Sequence, residues 1–463
     1  MQLLDSAPGA APTVGDPATR KPRRSLRNAW REFGRAPRLM GVDVARGLAV
    51  FGMIGVHAGV SASFEAGNPL SWTALVEGRS SILFAVVAGI SVAFATGMRS
   101  RPTGEVLRSA RLRMAGRAIA VLAVGLALEL LGSSIAVILP VYGLLFLILI
   151  PFLGVRRRTL VITAIALALA GPTLLALVRA LALGGSGAGV EFLISGSYPL
   201  TVWLPLILAG MAVGRSSLRE TRTAAIVTGL GVLLAVGGYG VGTALNGAGN
   251  GWASGLAMAG SSGGSSASFG AGGLKPGGGD LTGKTCVSKS EGPIACFPGS
   301  GGSGAGSGGL GEASGSYLER LGSSDLGASL AGAWGVSPHS GGTFEILGSG
   351  GFALALVGAC LLLARPLRWL LIPVAAVGSM PLTAYSAHVV SFAVLISPIG
   401  LAPGIMSFEG GATSNAFWLA CVGVLLLGCT AWALTLGRGP LERVTARAAR
   451  AMDRPAPATS GAG

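Results

Sequence analysis

The chain has 463 residues, 51% of them hydrophobic and only 11% charged, a balance that excludes an ordinary soluble globular protein and indicates a polytopic membrane protein. Its formal net charge is +15, but the arginines fall in short clusters between apolar runs, and no basic segment interleaved with aromatics is present. That pattern argues against nucleic acid as a partner and makes the charge a topology signal.

Residues 1–37 are rich in Ala, Pro and Arg, lack an apolar stretch and show no signal-peptide pattern. They are expected to form a basic, disordered cytoplasmic tail with an interfacial patch at Trp30 and Phe33. Apolar runs follow near 41–60, 79–97, 114–132, 135–153, 159–181, 198–214, 223–243, 345–364, 378–400 and 415–437. Each has the length of a transmembrane helix, about 17–25 residues. Basic clusters at 99–113, 154–158, 214–222, 364–368 and 437–450 then fall on the same side as the N-terminal tail if the spans number ten. The positive-inside rule makes that side the cytoplasm, so the expectation is an all-α bundle of about ten spans, N-in and C-in, in the plasma membrane. Residues 366–377 are expected to be an interfacial lead-in, since a second span there would put the basic C-terminus outside. The membrane domain thus divides into 38–243, with spans one to seven, and 344–445, with spans eight to ten, before a cytoplasmic tail at 446–463.

Between the two halves, residues 244–343 form an extracytoplasmic loop dominated by Gly, Ser and Ala, with too few apolar side chains to offset the entropy of ordering. Its island at 274–299 holds three of the four lysines of the chain, and Cys286 and Cys296 ten residues apart. On the oxidising side, these two are expected to close a small hairpin as a disulfide. No Cys or His completes a zinc ligand set, so no metal is expected. Cys360, Cys421 and Cys429 lie in spans and read as small buried apolar residues.

Chemistry concentrates in the first span, where Asp43, Arg46 and His57 interrupt an apolar run. Ionisable groups cost about 2.5–3.5 kcal/mol each at mid-bilayer and usually face a bundle interior or a wet cavity. Asp43 and Arg46 are spaced for an i, i+3 pair near the cytoplasmic end. Eleven residues later, a rise of about 16 Å, His57 lies on the same helical face toward the outer end. Gly55 and Gly59 would let another helix approach closely. Imidazole titrates near neutrality, so His57 suits a general base or a transiently acylated nucleophile; a histidine hydrogen-bonded inside a bundle fits the same position.

The pattern Asp43-x-x-Arg46-Gly47 followed by His57 resembles the first-span signature of acyltransferase-3 membrane proteins. Residues 77–94, 198–215, 339–363, 378–390 and 439–444 are closer to bacterial relatives of heparan-α-glucosaminide N-acetyltransferase and YeiB-like proteins, in the same transmembrane acyltransferase superfamily. The resemblance covers most of 38–445 apart from the glycine-rich insertion. It implies transfer of an acyl group, acetyl above all, from cytoplasmic acyl-CoA to an extracytoplasmic cell-envelope glycan or glycolipid, with His57 catalytic. Acyl-CoA would be a co-substrate, with no permanently bound cofactor. Arg-over-Lys usage fits a GC-rich bacterial coding sequence.

Other polar groups at the spans admit two roles each. Arg79 could stabilise charge developing on a carbonyl oxygen or snorkel to the interface. Glu129 could orient His57 or pair with Arg79, or sit at headgroup level. Thr383, Tyr385 and His388 form a polar patch in the ninth span, for substrate contact or interhelical bonding. Arg46, Arg113 and Arg117, with Asp43, are the candidates for the coenzyme phosphates. His339, Ser340 and Glu345 read as the outer mouth of the eighth span rather than a hydrolase constellation, since no nucleophile elbow accompanies them. A transporter or lipid exporter using the intramembrane charges stays open as the rival, although no second copy of the Asp-Arg-His pattern supports repeated halves. Membrane lipids are partners on either reading, and self-association is left open.

Overall fold

The computed structural model describes residues 25–35, 38–58, 78–98, 100–133, 135–182, 199–247, 284–287, 295–298, 326–336, 340–395 and 411–453. Gly59 and most of the glycine-rich loop lie outside the described residues. The protein is built of helices: α1 (Leu26–Glu32), α2 (Met40–His57), α3 (Arg79–Ala95), α4 (Gly104–Glu129), α5 (Leu139–Ile148) with a 3-10 turn at Ile150–Gly154, α6 (Arg157–Ala182), α7 (Leu200–Gly214) and α8 (Thr221–Gly247). Then come α9 (Leu326–Gly332), α10 (Thr343–Leu363), α11 (Arg368–Ser379), α12 (Pro381–Leu395), α13 (Gly411–Thr435) and α14 (Pro440–Met452). In the loop, β1 (Lys284–Val287) and β2 (Ala295–Pro298) pair antiparallel, and the register sets Cys286 opposite Cys296. The side chains of that hairpin lie outside the described residues.

Every apolar run of the sequence contains a helix. Among the described residues, α2, α6, α8, α10 and residues 417–435 of α13 are long and apolar enough to cross a membrane, five in all, or six if α11 and α12 form one broken span. Helices α3, α5 and α7 are apolar but shorter. Helix α4 is long, but its first half carries Glu105, Arg108, Arg111, Arg113 and Arg117.

Burial makes α2 the central helix. Of its spanning window 72% is buried, against 28% for α6, 22% for α8 and 17% for α13. Helices α3, α10, α11, α12 and α13 pack around it, while Ile162, Leu233 and Leu427 on the outer helices stay 66%, 69% and 76% exposed. Lipid tails are as apolar as leucine, so that outer surface needs no protein cover. Without a hydrophobic drive between helices, close backbone packing must hold the bundle, and glycines permit it. A Cβ on Gly378 would lie 1.7 Å from the Asp43 carbonyl oxygen, and one on Gly47 would lie 2.3 Å from that of Val374. Helices α2 and α11 therefore cross in backbone contact. Gly55 faces the Trp418 ring instead, and Trp418 Nε1 donates to the Phe51 carbonyl at 3.0 Å.

Residues 366–377, expected at the interface, run from a mostly exposed first part at 366–370 to a buried last part at 375–377. Helix α11 seats Ile372, Ala375, Ala376 and Val377 in the core and leaves Trp369 and Leu370 on its exposed face. Its small residues allow that seating on α2. Proline disfavours helical geometry in the residue before it; Met380 accordingly takes φ −135° and ψ 56°. Pro381 then opens α12 at a 76° bend.

Candidate functional site

Two polar constellations share α2. At the end near the basic clusters, Arg46 Nη1 donates to Asp43 Oδ1 at 2.7 Å and to the Gly378 carbonyl at 2.9 Å, and Nη2 donates to Ser91 Oγ at 2.8 Å. Arg38 Nε adds an ion pair to Asp43 Oδ2 at 3.5 Å. The Asp43 and Arg46 side chains are only 9% and 16% exposed, so the expected i, i+3 pair forms and is fixed from three helices. A buried pair held this way contributes positioning more than net stability, because both charges pay desolvation.

Arg46 opens onto a cavity of about 330 Å³. Arg38, Arg117 and Arg438 line it too, with Phe84, Tyr142 and Phe146 on its apolar side. Among the described residues Arg117 and Arg438 have no carboxylate within ion-pair reach, and the buried Arg117 is near enough to Arg46 and Arg438 to be repelled by both. The acid that lines the cavity, Glu442, is already committed. It accepts from the backbone nitrogens of Leu382 at 2.8 Å and Thr383 at 3.1 Å, and from Thr383 Oγ1 at 2.5 Å. Carboxylates suit helix N-termini, where unpaired N–H groups and the helix dipole both favour negative charge. Glu442 thus caps α12, and the cavity is left strongly cationic.

Farther along α2, His57 Nδ1 and His388 Nε2 of α12 are 3.0 Å apart. The rings stack with centroids 5.2 Å apart, and Phe392 meets both edge-on. His388 is 2% exposed; His57 is half-buried. Tyr385 packs edge-on against His388 at 5.0 Å, and its hydroxyl accepts from the Ile138 nitrogen at 3.2 Å. The ring contact consumes Nδ1 of His57 and leaves Nε2 without a hydrogen-bond partner among the described residues. If His57 carries its proton on Nδ1 and donates to His388, Nε2 is the basic nitrogen; the neighbour of one ring nitrogen sets the role of the other.

The structure thus brings His57, Tyr385 and His388 together, and Asp43, Arg46 and Arg117 at the other constellation. Thr383 belongs with Glu442 at the start of α12. Arg79 Nε donates to Tyr239 Oη at 2.9 Å, and its guanidinium lies over the Tyr239 and Phe352 rings. Glu129 is exposed at the end of α4, and neither residue bonds to His57 among the described residues. Arg113 pairs with Asp453 at 2.7 Å, alongside Ser109 at 2.8 Å, in a separate cavity of about 800 Å³. Those two hydrogen bonds, Ser109's first, hold the Asp453 carboxyl below its usual range. Glu345 Oε2 accepts from Gly341 N at 2.7 Å and Ser340 Oγ at 3.1 Å, a cap at the start of α10.

Sequence reasoning missed Ser91, Phe392, Arg438 and Glu442. Glu442 had a signal: it is the one acid in the basic stretch 437–450 and follows a proline at a helix start. Ser91 and Phe392 carry none, since each is an ordinary residue of an apolar span.

The family model described as heparan-alpha-glucosaminide N-acetyltransferase, catalytic, matches residues 38–236. The match contains α2, both arginines that α2 and α4 bring to the cavity, and His57. His388 and Glu442 lie beyond it. No curated protein and no solved structure matches the chain.

Proposed function

We propose that the protein, whose residues 38–236 match the heparan-α-glucosaminide N-acetyltransferase catalytic family model, is a membrane acyltransferase of that kind and moves an acetyl group from cytoplasmic acetyl-CoA to a glycan or glycolipid of the cell envelope. The observation that carries this reading is that one buried helix holds both an arginine facing a cationic cavity and a histidine whose Nε2 has no hydrogen-bond partner among the described residues. The cationic cavity suits the coenzyme phosphates, which need charge-assisted donors; Arg46, Arg117 and Arg438 supply them. From there the acyl arm would run about 16 Å along α2, past Tyr142 and Tyr385, to His57.

In the transfer step His57 Nε2 takes the proton of the acceptor hydroxyl or amine as that atom attacks the thioester carbonyl. The carbon–sulfur bond breaks, and the imidazolium returns the proton to the departing thiolate. His388 acts as a positioning residue: by accepting from Nδ1–H it keeps the basic lone pair on Nε2 and stabilises the imidazolium. Arg79 Nε is engaged with Tyr239, and no step is assigned to Arg79 in this reading. The experiment is thiol release from acetyl-CoA by native membranes holding the protein. His57→Ala should lower it about 10²–10⁴-fold while insertion is unchanged, and turnover near the wild-type rate would sink the assignment.

A further inference from the structure

A second cationic cavity, of about 310 Å³, lies on the basic face where the end of α1, the start of α2, the α7–α8 turn and the α10–α11 turn meet. Arg35, Arg38, Arg219, Arg365 and Arg368 line it, from all four segments, and Glu220 is the single acid among the lining residues. Topology alone accounts for arginines on this face; it does not account for their convergence. Arg365 and Arg368 hydrogen-bond to neutral carbonyls, of Arg219 at 2.5 Å and of Phe33 at 2.7 Å, so their charge is oriented but not compensated. Arg368 Nε is buried without a hydrogen-bond partner, and Arg35 stands near enough to repel its guanidinium. Arg38 is ion-paired with Asp43 at 3.5 Å. Below the charged rim the wall is apolar, with Leu39, Met40, Leu218 and Leu361.

We propose that this cavity binds a phosphate group, carried by an anionic lipid headgroup of the cytoplasmic leaflet. A phosphate offers several acceptor oxygens to convergent guanidinia, and the apolar wall suits the glycerol and upper acyl chain. The site is distinct from the donor cavity, but Arg38 lines both. A phosphate here therefore competes with Asp43 for Arg38 and links lipid occupancy to the Asp43–Arg46 pair.

The test uses the full chain in nanodiscs of phosphatidylcholine alone or with about one phosphatidylglycerol in five, read by lipid retention in native mass spectrometry and by titration with inorganic phosphate. Each basic residue is worth about fivefold in anionic-lipid affinity. Arg35→Gln should weaken phosphatidylglycerol retention about fivefold, and Arg35→Gln/Arg365→Gln about 25-fold, while Arg157→Gln/Arg158→Gln, exposed at the start of α6, leaves it unchanged. Arg35 is exposed and makes no side-chain hydrogen bond or ion pair among the described residues, so its variant keeps the test readable if the double variant inserts poorly. Inorganic phosphate that displaces the lipid would confirm the shared chemistry; saturable phosphate binding without lipid retention would assign the site to the free ion and overturn the lipid source. Retention that ignores these arginines, or falls equally in the Arg157/Arg158 control, overturns the site.

Discussion

Replacing His388 tests whether the histidine pair is a catalytic device or core packing. His388→Leu keeps a buried side chain of similar bulk but removes the acceptor 3.0 Å from His57 Nδ1. A neutral hydrogen bond contributes about 0.5–1.5 kcal/mol net, which at 1.4 kcal/mol per decade sets a loss of about two- to twelvefold in kcat. Loss of the base itself should cost about 10²–10⁴-fold, the usual range for general base catalysis. Because His388 acts through His57, the expected pattern is non-additive: His388→Leu slows the wild-type enzyme about tenfold and adds nothing to His57→Ala. His388→Gln, whose amide oxygen can accept from Nδ1–H, should recover much of the rate. Thiol release in native membranes, with acetyl-CoA varied, separates kcat from KM; thermal unfolding in detergent tracks any packing loss separately. Equal losses in both backgrounds, or a His388→Leu enzyme at full rate, would refute the positioning role.

Four further outcomes follow from the geometry. Arg438→Gln, at an exposed position with no ion pair among the described residues, should raise the KM for acetyl-CoA about tenfold with kcat nearly unchanged, taking the low end of about 1.5–3 kcal/mol for a charged hydrogen bond; calorimetry with coenzyme A checks it. Gly378→Ala would drive a methyl into the Asp43 carbonyl oxygen and should lower stability by about 1–3 kcal/mol, seen as a reduced Tm in detergent. Asp453 has its carboxyl pKa depressed by Ser109 and Arg113, so its contribution to docking α14 is complete above the ordinary value near 3.8 and is lost as pH falls through the depressed one. Asp453→Asn should therefore remove the acid-dependent step in hydrogen exchange of residues 440–452. The Cys286 and Cys296 register supports a disulfide-closed hairpin, which predicts a mobility shift on reduction that Cys286→Ser abolishes.

What could be read from the sequence was what local geometry encodes. The apolar runs mark the helices because every backbone polar group must be satisfied within its own segment in lipid. Asp43 and Arg46 pair because three residues of helix bring them together, whatever surrounds them. Partners distant in sequence were not legible: His57 and His388 are 331 residues apart, and their contact depends on where α12 crosses α2. Thr383 looked like part of a patch with Tyr385 and His388, yet a helix carries it back to the cap with Glu442. Arg79 and Glu129 looked equally able to reach the first helix. Only the tertiary packing, with α3 on α7 and α10, Arg79 bonded to Tyr239 of α8, and the α4 terminus exposed, gives their positions.

The start of α12 forms one edge of the donor cavity, with Pro381 and Leu382 lining it and Glu442 gripping the first amides. His388 rides the same rigid helix, about 10 Å farther on. One helix therefore joins the wall of the cationic cavity to the imidazole pair, so a displacement of its first turn would carry His388 with it.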